Sequence, residues 1–424
     1  MERRPGYKIG IIGLGYVGLP LARLFIEKGH EVYGIDADEQ KIGKLLKRQT
    51  YLSDFTKKEI RGLFSKNSFH VGSSYAPIEK VDVIIICVPT PIDENHKPDL
   101  QFVIRATQSV LPYLRRGQLV VLESSTFPGT CEEILKPILE STGMSVGREI
   151  ALAYSPERID PGSEWELERI PKIVGGSTAY CTDFVNQVYG SVFERLVVVS
   201  STRVAEFAKL LENCQRYVNI AFMNSLVKLC EVLDINLWEA IEAAGTKPYG
   251  FVKYYPGPGV GGHCIPVDPL YLLWKAHQHN LDLPFIELCH QVNEQMPIQI
   301  VERVSKSILP KTLNDCSVFV IGVTYKKDVN DIRESTAVTI IELLLRAGVK
   351  VSYYDPYVDE LTVGGITLHA TELTVRNMKQ VDCTLILTDH SSIPYEFLVA
   401  QSSIVIDTRN ATGKVPNRKN VILI

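Results

Sequence analysis

One thiol stands in a segment unlike the rest of the chain. Pro256-Gly257-Pro258-Gly259-Val260-Gly261-Gly262-His263-Cys264-Ile265-Pro266-Val267-Asp268 sets four glycines and three prolines around a single cysteine. Glycine costs backbone entropy and proline lacks an N–H, so the run is a poor helix and a poor strand. It suits a shaped loop whose backbone a ligand approaches closely. A thiol there, with Asp268 four residues on, is a candidate nucleophile. The alternative for these residue types is zinc. His263, Cys264, His277, His279, Cys289 and His290 are possible ligands, at spacings that match no standard site.

A second constellation is Gly13-Leu14-Gly15-Tyr16-Val17-Gly18, a G-x-G-x-x-G. It follows a strand-like run, opens a helix-like one, and precedes Asp36 at the end of the next strand candidate. That context makes it a dinucleotide fingerprint. Gly13 permits the tight turn, Gly15 lets the pyrophosphate approach the backbone, and Gly18 allows close helix packing. The helix N-terminus receives the phosphate charge. Asp36 accepts from the ribose hydroxyls and repels a 2′-phosphate, so NAD is expected rather than NADP.

Cys87-Val88-Pro89-Thr90-Pro91 and Glu123-Ser124-Ser125-Thr126-Phe127-Pro128-Gly129-Thr130 each end a strand candidate. Hydroxyls there could reach the nicotinamide half of a cofactor; ordinary turn chemistry reads equally well. Lys209 and Asn213, four apart on a helical run, share a face. An ammonium and a carboxamide together can hold an oxygen while hydride leaves carbon, and a solvated face is the alternative.

These residues need elements to position them. Runs at 8–14, 31–36, 81–88, 118–122 and 150–153 read as buried strands, with a helix from Val17 to Lys28 ended by Gly29. Strands alternating with helices predict a doubly wound sheet to about residue 200. Residues 203–244 contain neither glycine nor proline, and Phe207, Leu210, Leu211, Cys214 and Val218 recur at helical spacing. A helix of ~30 residues, ~45 Å long, is expected there, joining two domains and offering a surface for self-association. Helical segments continue to about 309. Strands at 317–323, 349–354, 382–387 and 403–407, with a helix over 335–347, predict a second, smaller α/β domain. The expected fold is therefore two Rossmann-like doubly wound domains joined by a long central helix and a helical middle domain. The bounds read as 1–202, 203–309 and 310–424.

Composition narrows the function classes. The 424 residues carry 45 basic against 49 acidic side chains, a net charge of −4, which argues against a nucleic-acid footprint. No stretch approaches the ~20 apolar residues that span a bilayer, and no apolar leader opens the chain. A cytoplasmic protein without a membrane partner is expected. Nine scattered cysteines, an odd number with no C-x-x-C pair, argue against a disulfide framework.

Taken in order, these motifs resemble the UDP-glucose/GDP-mannose dehydrogenase family over nearly the whole chain. The resemblance is carried by residues 13–18, Cys-Val-Pro-Thr-Pro at 87–91, Ser-Pro-Glu-Arg at 155–158, Lys209-x-x-x-Asn213, Gly-Gly-His-Cys-Ile-Pro-Val-Asp-Pro at 261–269, Tyr-Lys-Lys-Asp at 325–328 and Arg-Glu-Ser at 333–335.

The resemblance implies a four-electron oxidation of a primary alcohol to a carboxylate with two NAD. Cys264 becomes the nucleophile, forming a thiohemiacetal and then a thioester. Lys209 stabilises oxyanions, Asn213 and Asp268 position groups or water, Glu157 acts as base in the water step, and Thr126 helps place water and nicotinamide. Gly13, Gly15, Tyr16, Val17, Gly18, Asp36, Lys41, Thr90, Thr126 and Arg333 are the implied cofactor residues. Glu157, Lys209, Asn213, Gly261, Lys326 and Arg409 are the implied contacts to a UDP-sugar. Residues 246–266 look like the N-acetylhexosamine-type members, most of all those acting on UDP-N-acetylglucosamine. UDP-N-acetylmannosamine and UDP-glucose are the alternatives. Many members place an arginine on this loop for a neighbouring subunit's site; here Lys247 and Lys253 are the nearest cations. A homodimer or higher homo-oligomer through the central helix is expected. A two-electron hydroxyacid dehydrogenase and a non-catalytic NAD and nucleotide-sugar sensor are the rival readings.

Overall fold

The computed structural model describes residues 6–52, 55–65, 67–93, 95–159, 165–262 and 264–424; His263 lies outside the described residues. The chain divides into two compact units. One comprises Met1–Glu212 with Leu270–Leu281, the other Asn213–Pro269 with Asp282–Ile424.

The first unit is built on an eight-stranded sheet. Its strands are β1 (Lys8–Ile12), β2 (Glu31–Ile35), β3 (Phe69–Gly72), β4 (Val83–Ile86), β5 (Leu119–Leu122), β6 (Ala151–Tyr154), β7 (Lys172–Gly176) and β8 (Leu196–Val198), in the order β3-β2-β1-β4-β5-β6-β7-β8. Every residue of β4 and β5 is fully buried. Such strands, covered on both faces, read as unbroken apolar runs rather than alternating ones. Each buried Ile, Leu or Val contributes ~1.5–3 kcal/mol of burial free energy. The helix α1 (Gly18–Glu27) follows β1 and buries Leu19, Leu21, Ala22, Leu24, Phe25 and Ile26. Gly29, at φ 93°, ends it as expected.

Two strands, β7 and the β8 that pairs parallel with it, run against the rest of the sheet. β7 pairs antiparallel with β6, Ala153 opposite Gly176 and Tyr154 opposite Gly175. A parallel return needs a crossover of a dozen residues or more, usually helical. The described residues between β6 and β7 hold only a 3-10 turn at Leu167–Arg169.

The expected central helix is α2 (Thr202–Val232), 31 residues long and thus ~47 Å. Beyond it Asp234 takes φ 54° and Asn236 caps a separate helix, Leu237–Ala244. The run at 203–244 is thus one long helix and one short one. Helices α3 (Asp268–Gln278) and α4 (Pro284–Ser307) follow, with Pro297 inside α4.

The second unit holds β9 (Ser317–Ile321), β10 (Lys350–Tyr354), β13 (Cys383–Ile386), β14 (Val405–Asp407) and β15 (Val421–Leu423), all parallel, in the order β10-β9-β13-β14-β15. Helix α5 (Thr336–Arg346) packs Ala337, Ile340, Ile341 and Leu344 into the core beside Val318 and Val320. A hairpin of β11 (Glu360–Val363) and β12 (Ile366–His369) turns at Gly364-Gly365, both at positive φ. That dipeptide suits a two-residue turn with left-handed central residues.

Candidate active site

Within the first unit the glycine turn has the geometry a dinucleotide requires. At Gly13, φ 92°, a Cβ would lie 2.6 Å from the Cys87 carbonyl oxygen, and at Gly18 one would lie 1.9 Å from that of Gly13. Both positions exclude any side chain. A Cβ on Gly15 would meet nothing within 4 Å. The backbone at Gly15 therefore faces open space, which fits a cradle for phosphate. Asp36 accepts from the Leu14 N–H at 2.8 Å and from the Asp38 N–H at 2.9 Å. Its Oδ2 lies 3.7 Å from Lys41 Nζ. A carboxylate has about four lone-pair sites, so acceptor capacity remains for a ribose. Tyr51 donates to the Leu14 carbonyl at 2.5 Å. Thr90 is buried, and its carbonyl accepts from Tyr271 at 2.5 Å.

Thr126 is fully buried, its hydroxyl 2.6 Å from that of Thr130. Thr130 donates to the Phe127 carbonyl at 2.9 Å. With that proton committed, Thr126 donates to Thr130 and keeps its own lone pairs. Glu206, on α2, fixes this turn by accepting from the N–H groups of Gly129 and Cys131 at 2.6 and 2.9 Å. Burial pushes the Glu206 carboxyl up.

Glu157 belongs to a buried network that the sequence did not announce. Lys172 Nζ lies 2.7 Å from Glu123 Oε2 and 3.0 Å from Glu157 Oε2. Tyr189 donates to Glu123 Oε1 at 2.5 Å. Glu157 Oε1 also accepts from the N–H groups of Arg158 and Ile159 at 2.6 and 2.7 Å. Burial alone would raise the Glu157 carboxyl, but the Lys172 ammonium and these donors hold it below the usual range. In Glu123 burial outweighs the ammonium, and that carboxyl is pushed up. Glu157 is thus a well-held anion, and Glu123 the partner that ionises with more difficulty. Lys209, on α2, is buried, with no ion-pair partner among the described residues.

Within the second unit the glycine–proline loop is pinned from several sides. Asn224 Oδ1 accepts from the Gly257 N–H at 2.9 Å, and Asn293 Oδ1 from the Val260 N–H at 2.6 Å. A Cβ on Gly257 would lie 2.8 Å from Arg409 Nη1. One on Gly261 would lie 2.6 Å from the Glu334 carbonyl oxygen, and one on Gly262 would lie 2.8 Å from the Tyr325 ring. The glycines therefore let the loop nest against Arg409 and the 325–334 segment, as a shaped loop should. Cys264 is exposed, whereas Cys230 is half-buried and the other seven cysteines are buried; none of the nine is in a disulfide. The Cys264 carbonyl accepts from the Asp268 N–H at 2.9 Å, and Asp268 in turn accepts from Asn213 Nδ2 at 2.5 Å.

Arg409 Nε donates to the Leu387 carbonyl at 3.0 Å. It also lines a polar cavity of about 330 Å³ with Trp238, Tyr255, Asn410 and Arg418. Arg333 is clasped by Asp331, with Nη2 2.6 Å from Oδ2. Of the two loop lysines, Lys253 pairs with Glu242 at 2.5 Å, and Lys247 lies 4.9 Å over the Tyr249 ring. Among the described residues no three His, Cys, Asp or Glu side chains are grouped to hold a metal. Cys289 packs instead in an apolar cluster with Tyr217, Ala221 and Val260, and His290 pairs with the Tyr217 hydroxyl at 3.2 Å.

The structure thus groups Gly13, Gly15, Gly18, Asp36 and Lys41 in one unit. It groups Asn213, Asp268, Gly261 and Arg409 in the other. Sequence reasoning missed Lys172, Tyr189, Glu206, Asn224 and Asn293. Only a lysine opening a strand, Lys172-Ile-Val-Gly-Gly, signals that something inside the first unit needs a cation.

Comparison with known proteins agrees with this geometry. Residues 7–193 match the NAD binding domain of the UDP-glucose/GDP-mannose dehydrogenase family, 203–295 its central domain and 319–414 its UDP binding domain. UDP-N-acetyl-D-mannosamine dehydrogenase of Methanococcus vannielii is 32% identical over 96% of this chain and 94% of its own. UDP-N-acetyl-D-glucosamine 6-dehydrogenase of Salmonella typhi is 37% identical over 83% of each chain. The structure of a UDP-D-ManNAc dehydrogenase from Pyrococcus horikoshii superposes with a TM-score of 0.88 at 30% identity, covering 98% of both chains. No helix of the described residues is long and apolar enough to cross a membrane. A dinucleotide cradle, an exposed thiol on a glycine loop and three matched domains place the chain in the UDP-glucose/GDP-mannose dehydrogenase family, as an NAD-dependent nucleotide-sugar dehydrogenase.

Proposed function

We propose that the enzyme oxidises the C6 alcohol of UDP-N-acetylglucosamine to the uronate. Cys264 carries this reading: it alone among nine cysteines is exposed, on a loop shaped by glycines. The balance is one alcohol, two NAD and one water giving one carboxylate, two NADH and three protons. NAD, when bound, accepts hydride at each of the two oxidation stages. The protein supplies the rest. Cys264 adds to the C6 aldehyde to give a thiohemiacetal, which is oxidised to a thioester. Covalent capture keeps the reactive aldehyde from escaping. Lys209 stabilises the oxyanions and favours the thiolate. Asn213 and Asp268 orient the reacting groups, and water displaces the thiol. Thr126, with free lone pairs, helps place that water. Glu157 takes up its proton. As a carboxylate of low basicity it is a transient acceptor that passes the proton on.

Gly261, Lys326 and Arg409 hold the nucleotide sugar, and Arg333 approaches the NAD pyrophosphate. The domain bounds we assign are 1–202 for NAD, 203–309 for the central domain and 310–424 for the UDP-sugar. Phe222, Leu229 and Val232 leave an apolar stripe of α2 exposed, which supports self-association as a homodimer or higher homo-oligomer.

The choice of sugar rests on residues 246–266 and on the 37% identity to the Salmonella enzyme. UDP-N-acetylmannosamine is the second reading, supported by the Methanococcus and Pyrococcus relatives. The test is a panel of UDP-GlcNAc, UDP-ManNAc and UDP-glucose, with NADH counted per mole of sugar. Two NADH and the highest kcat/KM for UDP-GlcNAc are expected. A preference for UDP-glucose overturns the assignment, and one NADH per sugar overturns the covalent scheme.

A further inference from the structure

The two Rossmann-like halves meet their second strand in the same way. In the first unit Gly13, at φ 92°, donates its N–H to the Ile35 carbonyl at 2.8 Å, and Asp36 Oδ2 accepts from the next N–H, Leu14, at 2.8 Å. In the second unit Gly322, at φ 80°, donates to the Tyr354 carbonyl at 2.9 Å, and Asp355 Oδ2 accepts from the next N–H, Val323, at 2.7 Å. The other oxygen of each aspartate accepts from the residue two further on, Asp38 at 2.9 Å and Tyr357 at 2.8 Å. Asp355 is therefore the counterpart of the ribose-reading Asp36.

Its partner differs. His390, fully buried, brings Nε2 to 3.0 Å from Asp355 Oδ2. The Asp328 N–H donates to His390 Nδ1 at 3.0 Å. Nδ1 must therefore carry the lone pair, so Nε2 carries the proton and donates to Asp355. The imidazole takes from Asp355 the acceptor site that Asp36 offers to a ribose. Through both nitrogens the ring also ties down the segment 324–328. Thr324 Oγ1, 3.2 Å from Nε2, donates to the Lys326 carbonyl at 2.8 Å. Asp328, held at φ 60°, accepts from Ser391 N at 2.8 Å and from Ser391 Oγ at 2.5 Å. Lys326 lies inside this clamp, and the Tyr325 ring beside it contacts Gly262, two residues from Cys264.

We propose that His390 is a positioning residue for nucleotide-sugar binding: it occupies the ribose-reading aspartate of the second half and uses it to fix the Tyr325–Lys326 turn. The proposal rests on the reading that Lys326 contacts the nucleotide sugar. It predicts that what matters at position 390 is an acceptor for the Asp328 N–H, not merely a filled core.

The test compares His390→Asn, whose side-chain oxygen can stand near Nδ1, with His390→Gln, which reaches toward Asp355 but leaves the Asp328 N–H without a partner. UDP affinity by calorimetry, KM for the nucleotide sugar, KM for NAD and melting temperature are measured for each. His390→Gln is expected to weaken UDP and raise the sugar KM by about tenfold or more, with NAD KM unchanged. His390→Asn is expected to stay within about threefold. Asp328→Gly keeps the positive φ allowed and deletes the Ser391 contacts at an exposed site. It is expected to act like His390→Gln even where the histidine variants fold poorly. Equal UDP affinity in His390→Gln and the parent overturns the clamp. So does a loss that follows melting temperature alone, equal in Asn and Gln. Lys326→Met separates the two levels: if it leaves UDP affinity unchanged, the role of Lys326 fails rather than the clamp.

Discussion

Asn213 donates its amide to the Asp268 carboxylate at 2.5 Å. The bond joins α2 to the residue that ends the glycine–proline loop and opens α3. It also fixes the Asn213 carboxamide by one of its two N–H donors. A hydrogen bond to an ionised partner contributes ~1.5–3 kcal/mol. Asp268→Ala should therefore lower kcat by about 10- to 100-fold. Asp268→Asn keeps the shape but not the charge, and should recover part of that loss. Steady-state kinetics with saturating NAD decides: full activity in Asp268→Ala would leave the pair with a structural role only.

Cys264 should be the thiol that alkylates first. It is exposed, whereas burial raises the thiols of Cys87, Cys131 and Cys383, the last to about 12. At neutral pH only a thiolate reacts at a useful rate. Iodoacetamide at about one equivalent should label the peptide bearing Cys264, with activity lost in step, and UDP should slow both. Cys264→Ser should stall at an intermediate stage with little turnover. Stoichiometric uronate from that variant would exclude the thioester.

Much of this fold is legible in the sequence. β1, α1 and β2 lie within two residues of their predicted bounds, because an unbroken apolar strand, a glycine turn and a helix-stop glycine each leave a local mark. The long helix was equally plain from its 3.6-residue spacing. Most of what the sequence hides has a reason that is not local. β7 carries Lys172, which opens a strand only because Glu123 and Glu157 await it from distant parts of the chain. The β11–β12 hairpin is the exception, because its Gly364-Gly365 pair is a local turn signal. Asn224 and Asn293 hold the cysteine loop by single hydrogen bonds from helices, and nothing in their neighbours' sequence marks them. The three donors that lower the Glu157 carboxyl, Lys172 and the Arg158 and Ile159 N–H groups, are likewise invisible in sequence.

The glycine turn separates folding from binding. A methyl at Gly18 would stand 1.9 Å from the Gly13 carbonyl oxygen, so Gly18→Ala must shift α1 off β1. A methyl at Gly15 meets nothing within 4 Å of the protein and would meet only the pyrophosphate. Gly15→Ala is therefore expected to melt like the parent while raising the NAD KM by about tenfold or more. Gly18→Ala is expected to lose several degrees of melting temperature as well. If Gly15→Ala bound NAD normally, the pyrophosphate would not lie over that backbone.

The buried trio gives a pH signature. In the parent, Glu157 is held below the ordinary carboxyl value of 4.5, so its stabilisation is present above that value and is lost as pH falls through the lowered one. Burial would lower Lys172, but Glu123 and Glu157 hold it above 10.5. Its share is therefore present below 10.5 and lost only as pH rises through the raised value. Glu123, pushed up, works the other way: the folded state keeps its proton longer than the unfolded chain. Lys172→Met removes the cation and leaves two carboxylates buried together. Burial and mutual repulsion then raise both, and the folded state binds more protons than the unfolded one above about 4.5. By linkage, stability in that window falls as pH rises. Removing one partner of a buried ion pair costs ~3–5 kcal/mol, so the variant should melt about ten degrees below the parent near pH 8. It should recover much of that deficit near pH 5.5, because the parent has one raised carboxyl where the variant has two. Glu123→Gln in the same background should restore melting at pH 8 by removing the repulsion. A deficit that is constant across this range would mean that Lys172 fills space there and does not govern the charge of Glu157.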